Sequence, residues 1–255
     1  MSVIDTRLPA LLKGDKPLVG MFMGITSPAL VEMCGYAGFD FVVLDNEHGP
    51  ASIETTEHLI RAAKCANVIP VVRTLEPDIL RVLDIGASAI QVPQVNTAEQ
   101  ARRIVAAAKY PPVGARGAAF SPRAAGYGFF GGAPHAKASN EGTSVILMME
   151  TREALGNLDE ILAVPGVDAL FIGPNDLSFS MGHAGNQKHP EVVTAIETAI
   201  RKIVQTKVAA GLMTMAIEDY HKYAALGARY LTTQIASVVG AALKSAVAAM
   251  RSQPA

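Results

Sequence analysis

The chain contains no tryptophan, and aromatic residues make up only 5% of its 255 positions. It has two cysteines, Cys34 and Cys65. Two thiols cannot build the framework of a disulfide-stapled secreted domain. Each sits in an apolar helical pattern, so both read as buried free thiols in a reducing compartment. Long runs of one charge sign are missing, and the formal net charge is −1. That balance argues against nucleic acid and anionic membrane as principal partners. No stretch approaches the ~20 apolar residues that span a bilayer. The opening MSVIDTRLPALLKGDKP lacks the apolar core of a secretory signal. A soluble cytoplasmic protein is the default expectation. No strand-like run is followed by G-x-G-x-x-G, so the usual dinucleotide fingerprint is absent. No His/Cys grouping has zinc spacing, which speaks against a soft-ligand metal site.

What is present is apolar residue in quantity, half of the chain, enough for one large α/β domain. Eight β-rich runs lie at 18–25, 39–45, 68–74, 88–95, 144–150, 168–174, 208–215 and 229–235. Most are continuous apolar stretches, as expected of parallel strands covered on both faces. Helical patterns fall between them. The run at 27–38 opens with Ser27 as N-cap and Pro28 at the first helical position. The run at 52–66 opens with Ser52, and the one at 97–110 with Thr97 and Gln100 at capping-box spacing. Longer patterns cover 189–207 and 236–252. Eight βα alternations over this length predict a single (β/α)₈ TIM barrel. The stretch 112–143, rich in Gly, Ala and Pro, breaks the alternation and reads as a mobile excursion near the ligand, with short helical pieces.

A parallel barrel collects the C-terminal ends of its strands at one mouth, where its chemistry sits. Polar residues gather at these ends. Strand 2 runs into DNEHGP, giving Asp45, Glu47 and His48; strand 3 ends in Arg73, strand 4 near Gln94, strand 5 in Glu150, and strand 6 runs into GPND with Asp176. Glu150 and Asp176 come from adjacent strands. Two facing carboxylates repel, and a hard divalent cation such as Mg²⁺ or Mn²⁺ resolves the conflict. An alternative stays open, with Glu150 paired to Arg152 or Arg116 and Asp176 capping the following helix. His48 suits acid–base work near neutral pH. Arg73 needs an anionic or carbonyl partner, either a developing oxyanion or a carboxylate such as Asp45. His58, His135, His183, His189 and His221 read as surface or loop residues, and Met148 as core filler. A divalent metal, an imidazole and an arginine suit enolate chemistry on a 2-oxo acid.

The segments FVVLDNEHGP, VVRT, LDIGASAIQVPQV, YPPVGARG, METREALGNLDEI and FIGPNDLSFSMGHAGNQKHPEV resemble the HpcH/HpaI aldolase family of metal-dependent pyruvate aldolases, over roughly residues 15–245. The resemblance implies a class II aldolase that makes or cleaves 4-hydroxy-2-oxo acids from pyruvate or hydroxypyruvate and an aldehyde. It implies a barrel whose last helix, at 236–252, is exchanged between subunits of a hexamer built as a trimer of dimers. Oxaloacetate decarboxylation is an implied side reaction. By motif, Glu150 and Asp176 become the metal ligands, for Mg²⁺ or Mn²⁺ with Co²⁺, Ni²⁺ or Zn²⁺ as substitutes. His48 becomes the base, Arg73 the stabiliser at the keto oxygen, and Asp84 the acid that raises the basicity of the histidine across a subunit contact. Backbone amides around Gly173, Pro174, Asn175 and Asp176 would hold the substrate carboxylate. Asp45 would contact the aldehyde or orient His48. Relatives carry Gln where this chain has Met148, and the Gln94 side-chain amide is expected to substitute for it. A citrate-lyase-like enzyme acting on acyl-CoA esters is the competing activity, and a non-catalytic sensor barrel a third.

Overall fold

Residues 3–252 are described in the computed structural model. Eight parallel strands close on themselves in sequence order: β1 Leu18–Met23, β2 Phe41–Asp45, β3 Ile69–Arg73, β4 Ala89–Val92, β5 Ser144–Met149, β6 Ala169–Ile172, β7 Ala209–Met213 and β8 Tyr230–Gln234. All eight fall inside the runs read from the sequence, so the predicted (β/α)₈ barrel is the observed architecture. The helices are α1 Leu8–Leu12, α2 Pro28–Tyr36, α3 Ile53–Cys65, α4 Ile79–Asp84, α5 Ala98–Ala108, α6 Ala133–Gly142, α7 Arg152–Gly156, α8 Leu158–Leu162, α9 Pro174–Ser180, α10 Pro190–Ile203, α11 Ile217–Ala225 and α12 Ile235–Arg251. No helix among the described residues is long and apolar enough to cross a membrane.

Local chemistry starts the helices where the sequence suggested. The Ser27 hydroxyl accepts from the Leu30 amide at 3.3 Å, and Ser52 from Thr55 at 3.1 Å. Thr97 and Gln100 form the reciprocal capping box ahead of α5. Helix α11, absent from the sequence reading, starts after Ala216 without a capping side chain. Cys34 is buried as expected, whereas Cys65, the last residue of α3, is exposed, which corrects the reading of both as buried.

Strand side chains alternate between two cores. Val42, Leu44, Val72, Ile90, Leu147, Leu170 and Leu212 face outward into the layer beneath the helices. Phe22, Phe41, Val43, Val71, Ala89, Met148, Phe171 and Tyr230 face inward and fill the barrel. Leu8 and Leu12 of α1 join this inner set and plug the end where the strands begin. Phe41 stacks on Tyr230 with ring centroids 4.2 Å apart, and Phe171 meets Tyr230 edge-on at 6.0 Å. Burying a side chain of this size stabilises the fold by about 1.5–3 kcal/mol each. The filled interior leaves the chemistry to the upper ends of the strands.

The excursion at 112–143 does not gather at those ends. It contains a 3₁₀ segment, Arg123–Gly128, and α6. Arg123 donates to the Ile85 carbonyl after α4, Tyr127 donates to Glu57 on α3 at 3.3 Å, and Asn140 exchanges hydrogen bonds with the main chain of Tyr110 at 2.7 and 3.0 Å. These contacts lie on the outer helices. Within one chain, Gly, Ala and Pro mark a packed clamp across α3, α4 and α5.

Candidate active site

The inward parity of the strands ends in ionisable groups at the mouth. Asp45 follows Phe41 and Val43 on β2, Arg73 follows Ile69 and Val71 on β3, and Glu150 follows Ile146 and Met148 on β5. Asp45 and Arg73 are register partners across β2 and β3. The Arg73 guanidinium donates to Asp45 through Nε at 2.8 Å and Nη2 at 2.6 Å, and Nη1 lies 3.0 Å from Glu47 Oε2. It sits 4.6 Å above the Phe22 ring. Two carboxylates and an aromatic face therefore fix its plane. Burial pushes the Asp45 carboxyl up. The hydrogen bonds and charge of Arg73, with the amides of His48 and Glu47, outweigh that and hold it below its usual range.

Asp45 also shapes the loop beyond its strand. Its Oδ1 accepts the main-chain amides of Glu47 at 3.1 Å and His48 at 3.2 Å. Asp45 thus orients His48 through the backbone, and its carboxylate is taken up by Arg73. The His48 side chain is 72% exposed, with Nε2 4.0 Å from Glu47 Oε2. Glu47 belongs to the constellation more firmly than its sequence position suggested; the signal for it was the need of a buried arginine for two acceptors.

Glu150 is buried, and the carboxyl of Asp176, exposed in the first turn of α9, is close enough to act on it. Burial is the first cause that lifts the Glu150 carboxyl to about 7, with the charges of Asp176 and Glu47 adding to it and the Gln94 amide opposing it. Neither alternative arginine reaches it: Arg116 binds Asp84 at 2.8 Å and Arg152 the Met181 carbonyl at 3.1 Å. The helix α9 cap position is Gly173, without a side-chain cap bond, so Asp176 is not the cap. The two carboxyls face each other as the divalent-cation reading requires. Asp45, Glu47, Glu150 and Asp176 oppose Arg73 alone, an excess of three negative charges when all are ionised. A divalent cation fits this donor set, which is all oxygen and underneutralised.

Several expectations for individual residues change. The Gly173 amide donates to the Met149 carbonyl at 3.0 Å and is not free for a substrate carboxylate. Gly173 acts sterically instead, since a Cβ there would lie 2.9 Å from Glu150 Cγ and 3.0 Å from its Oε2. Pro174 has no amide hydrogen. The amides of Asn175 and Asp176 have no acceptor among the described residues, as first-turn amides of a helix. Gln94 approaches Glu150 through its main-chain amide, 2.8 Å from Oε1. It does so from a left-handed φ of 58°, which costs a non-glycine residue about 1–2 kcal/mol. Its side chain is exposed at the end of β4 and makes no contact with Glu150 among the hydrogen bonds of the described residues. Met148 is 3% exposed inside the barrel beneath Glu150.

Within one chain Asp84 is not brought to His48. Its carboxylate is held by Arg116, whose guanidinium also reaches Ser139 and lies 4.5 Å above the Tyr110 ring. The strand ends also brought a group that sequence reasoning passed over, Gln91 on β4, whose Oε1 accepts from the Tyr230 hydroxyl at 2.9 Å in the barrel interior. Alternation with inward-facing Ala89 was the available signal.

Residues 18–240 match the model of the HpcH/HpaI aldolase/citrate lyase family. A 2-dehydro-3,6-dideoxy-6-sulfogluconate aldolase of Pseudomonas putida is 44% identical over 74% of this chain and 75% of its own length. A hydroxypyruvate/pyruvate aldolase of Cupriavidus necator is 38% identical over 92% of this chain and 89% of its own. The crystal structure of an HpcH/HpaI aldolase/citrate lyase family protein from Burkholderia cenocepacia superposes with a TM-score of 0.92 at 31% identity, covering 97% of this chain and all of that one. A filled parallel barrel with an acid pair at its mouth, and aldolases as relatives along most of its length, place the chain in the HpcH/HpaI aldolase/citrate lyase family, as a carbon–carbon lyase of the aldolase kind.

Proposed function

We propose that the mouth of this barrel makes and cleaves 4-hydroxy-2-oxo acids from pyruvate or hydroxypyruvate and a small aldehyde, with Mg²⁺ or Mn²⁺ held by Glu150 and Asp176. The carrying observation is the acid pair itself: a buried Glu150 carboxyl beside that of Asp176, with the carboxylates of Asp45 and Glu47 nearby on Arg73. Bound there, a divalent cation supplies Lewis-acid polarisation of the substrate's oxygens. The remaining work falls to side chains and amides of this chain. Arg73, locked by Asp45 and Glu47, presents a fixed cation to the keto oxygen as charge develops on it. The Asn175 and Asp176 amides receive the substrate carboxylate. His48, on its exposed loop, accepts the C3 proton at an imidazole nitrogen, and the resulting carbanion equivalent adds to the aldehyde. The alkoxide formed on the aldehyde oxygen takes up a proton; in cleavage that hydroxyl loses its proton, the C3–C4 bond breaks to release the aldehyde, and C3 takes up a proton. The enolate of pyruvate is also what oxaloacetate yields on losing carbon dioxide, so decarboxylation belongs to the same site.

The proposal extends to assembly. Val238, Leu243, Val247 and Met250 of α12 are 46%, 63%, 46% and 85% exposed, and Ile235 is the one buried residue of that helix. An apolar helix face left open in this way supports packing of α12 on a second copy, in a dimer-based hexamer. In that assembly Asp84, fixed by Arg116, meets His48 of a neighbouring copy. The acyl-CoA activity is not adopted, because the relatives of 38–44% identity are named aldolases.

The test is product formation from hydroxypyruvate and glycolaldehyde, followed by mass spectrometry with protein stripped by EDTA and then reloaded. Turnover is expected only after Mg²⁺ or Mn²⁺ is returned. Full activity in the stripped protein, or a lysine adduct of pyruvate trapped by borohydride, overturns the proposal in favour of Schiff-base chemistry.

A further inference from the structure

The turn between α9 and α10 holds a second group of metal-type ligands, chemically unlike the mouth. Sequence spacing offered no such grouping, since His183 and His189 stand six residues apart in a stretch without helical or strand period. The backbone closes that gap. Gly182, Ala184 and Gly185 have φ of 84°, 46° and 85°. The His183 amide donates to Ser178 O at 2.8 Å, the Asn186 amide to His183 O at 2.9 Å, and the His189 amide to Asn186 O at 3.1 Å. These turns lay the imidazoles of His183 and His189 nearly parallel, with centroids 3.6 Å apart at 16°. Glu191, in the first turn of α10, brings Oε2 to 2.9 Å from His183 Nε2. One ligand atom from each of the three residues lies within 4.8 Å of the others. Both histidines are loop residues, as expected, and the turns bring their rings together.

We propose that His183, His189 and Glu191 form a binding site for a borderline divalent transition metal of the Zn²⁺, Co²⁺ or Ni²⁺ class, separate from the acid pair at the mouth. Two imidazole nitrogens and one carboxylate oxygen are the donors these ions prefer, with remaining positions for water. The mouth offers oxygens alone and suits Mg²⁺ or Mn²⁺. Both histidines are half-buried and Glu191 is exposed, so the group is anchored on one side and open to solvent on the other. The ion would take the place between His183 Nε2 and Glu191 Oε2. His183 would then bind as the tautomer with its hydrogen on Nδ1, any hydrogen on Nε2 passing to solvent. His189 Nδ1 accepts the Glu191 amide only weakly, at 3.3 Å. An ion here ties the start of α10 to the turn that follows α9, whose first turn carries Asp176.

Tag-free protein stripped with EDTA is titrated with Co²⁺ by calorimetry, and nitrogen coordination is read from the hyperfine structure of bound Cu²⁺ in electron paramagnetic resonance. The E150Q/D176N protein, which lacks the mouth pair, is expected to bind one equivalent of Co²⁺ and to show nitrogen coupling. This arm stands whether or not the mouth holds a metal. H183A/H189A is expected to lose that equivalent and the coupling while keeping Mg²⁺-supported activity. E191Q keeps both rings and guards against a misfolded double variant. Losing a direct ligand should weaken Co²⁺ binding at least as much as losing an outer partner of a ligand, about tenfold. No Co²⁺ bound by E150Q/D176N, no nitrogen coupling, or unchanged affinity in E191Q overturns the proposal.

Discussion

Replacing Glu150 by glutamine should stabilise the metal-free protein in a pH-dependent way. In the folded chain the Glu150 carboxyl titrates near 7, against an ordinary value of 4.5. Burial beside Asp176 disfavours the charged form. The folded protein therefore holds this proton more tightly than the unfolded chain, and stability falls as pH rises between the two values. Below 4.5 both states are protonated and no penalty exists. Above 7 the penalty is complete, and at about 1.4 kcal/mol per unit it amounts to about 3 kcal/mol. At pH 5 only about 1 kcal/mol of it has developed. Glutamine carries no charge, keeps an acceptor for the Gln94 amide and offers Asp176 a donor. Urea unfolding of EDTA-dialysed protein should thus show E150Q more stable than wild type by about 3 kcal/mol at pH 8 and by about 1 kcal/mol at pH 5. In thermal melts the pH 8 gain is roughly 6–12 °C for a chain of this size. Saturating Mn²⁺ should reverse the order, since wild type gains binding energy that E150Q lacks. An E150Q protein no more stable than wild type at pH 8, or an equal difference at both pH values, refutes the reasoning.

Asp45→Asn leaves the buried Arg73 with one charged acceptor fewer, Glu47 remaining, and should cost about 1.5–3 kcal/mol at pH 7, measured by urea unfolding. Because the folded Asp45 titrates below its usual range, its contribution is present above the unfolded value and lost as pH falls through the folded one. The acid limb of the stability curve should accordingly flatten in this variant. Gly173→Ala puts a methyl within 3.0 Å of Glu150 Oε2; Mn²⁺ affinity should drop by about tenfold or more with little change in melting temperature, as read by titration calorimetry.

The barrel was legible because parallel strands covered on both faces leave an unbroken apolar signature, and because Ser27, Ser52 and Thr97 mark helix starts by local chemistry. Asp45, Arg73, Glu150 and Asp176 were legible as polar residues ending apolar runs. Their partnerships, Arg73 with Asp45 and Glu150 with Asp176, were legible only as one alternative among others. That Asp45 is consumed by Arg73 follows from the β2–β3 register, which no single run encodes. Gly173 was read as an amide donor, and its real constraint, the nearness of Glu150, exists only once β5 and β6 are side by side. Gln94 reaches Glu150 through a left-handed main-chain turn that its residue type does not announce. His183 and His189 meet through consecutive tight turns, beyond the reach of any periodic pattern.

The acid pair is tested most directly by exchange of the pyruvate methyl protons with deuterium oxide, followed by proton NMR without any aldehyde. With Mg²⁺ or Mn²⁺ the wild-type protein should empty the methyl signal at a rate that EDTA abolishes, and Glu150→Ala and Asp176→Ala should not exchange above the rate of free metal. Exchange persisting in EDTA-treated Glu150→Ala and Asp176→Ala proteins would contradict the assignment of that pair as the seat of the chemistry.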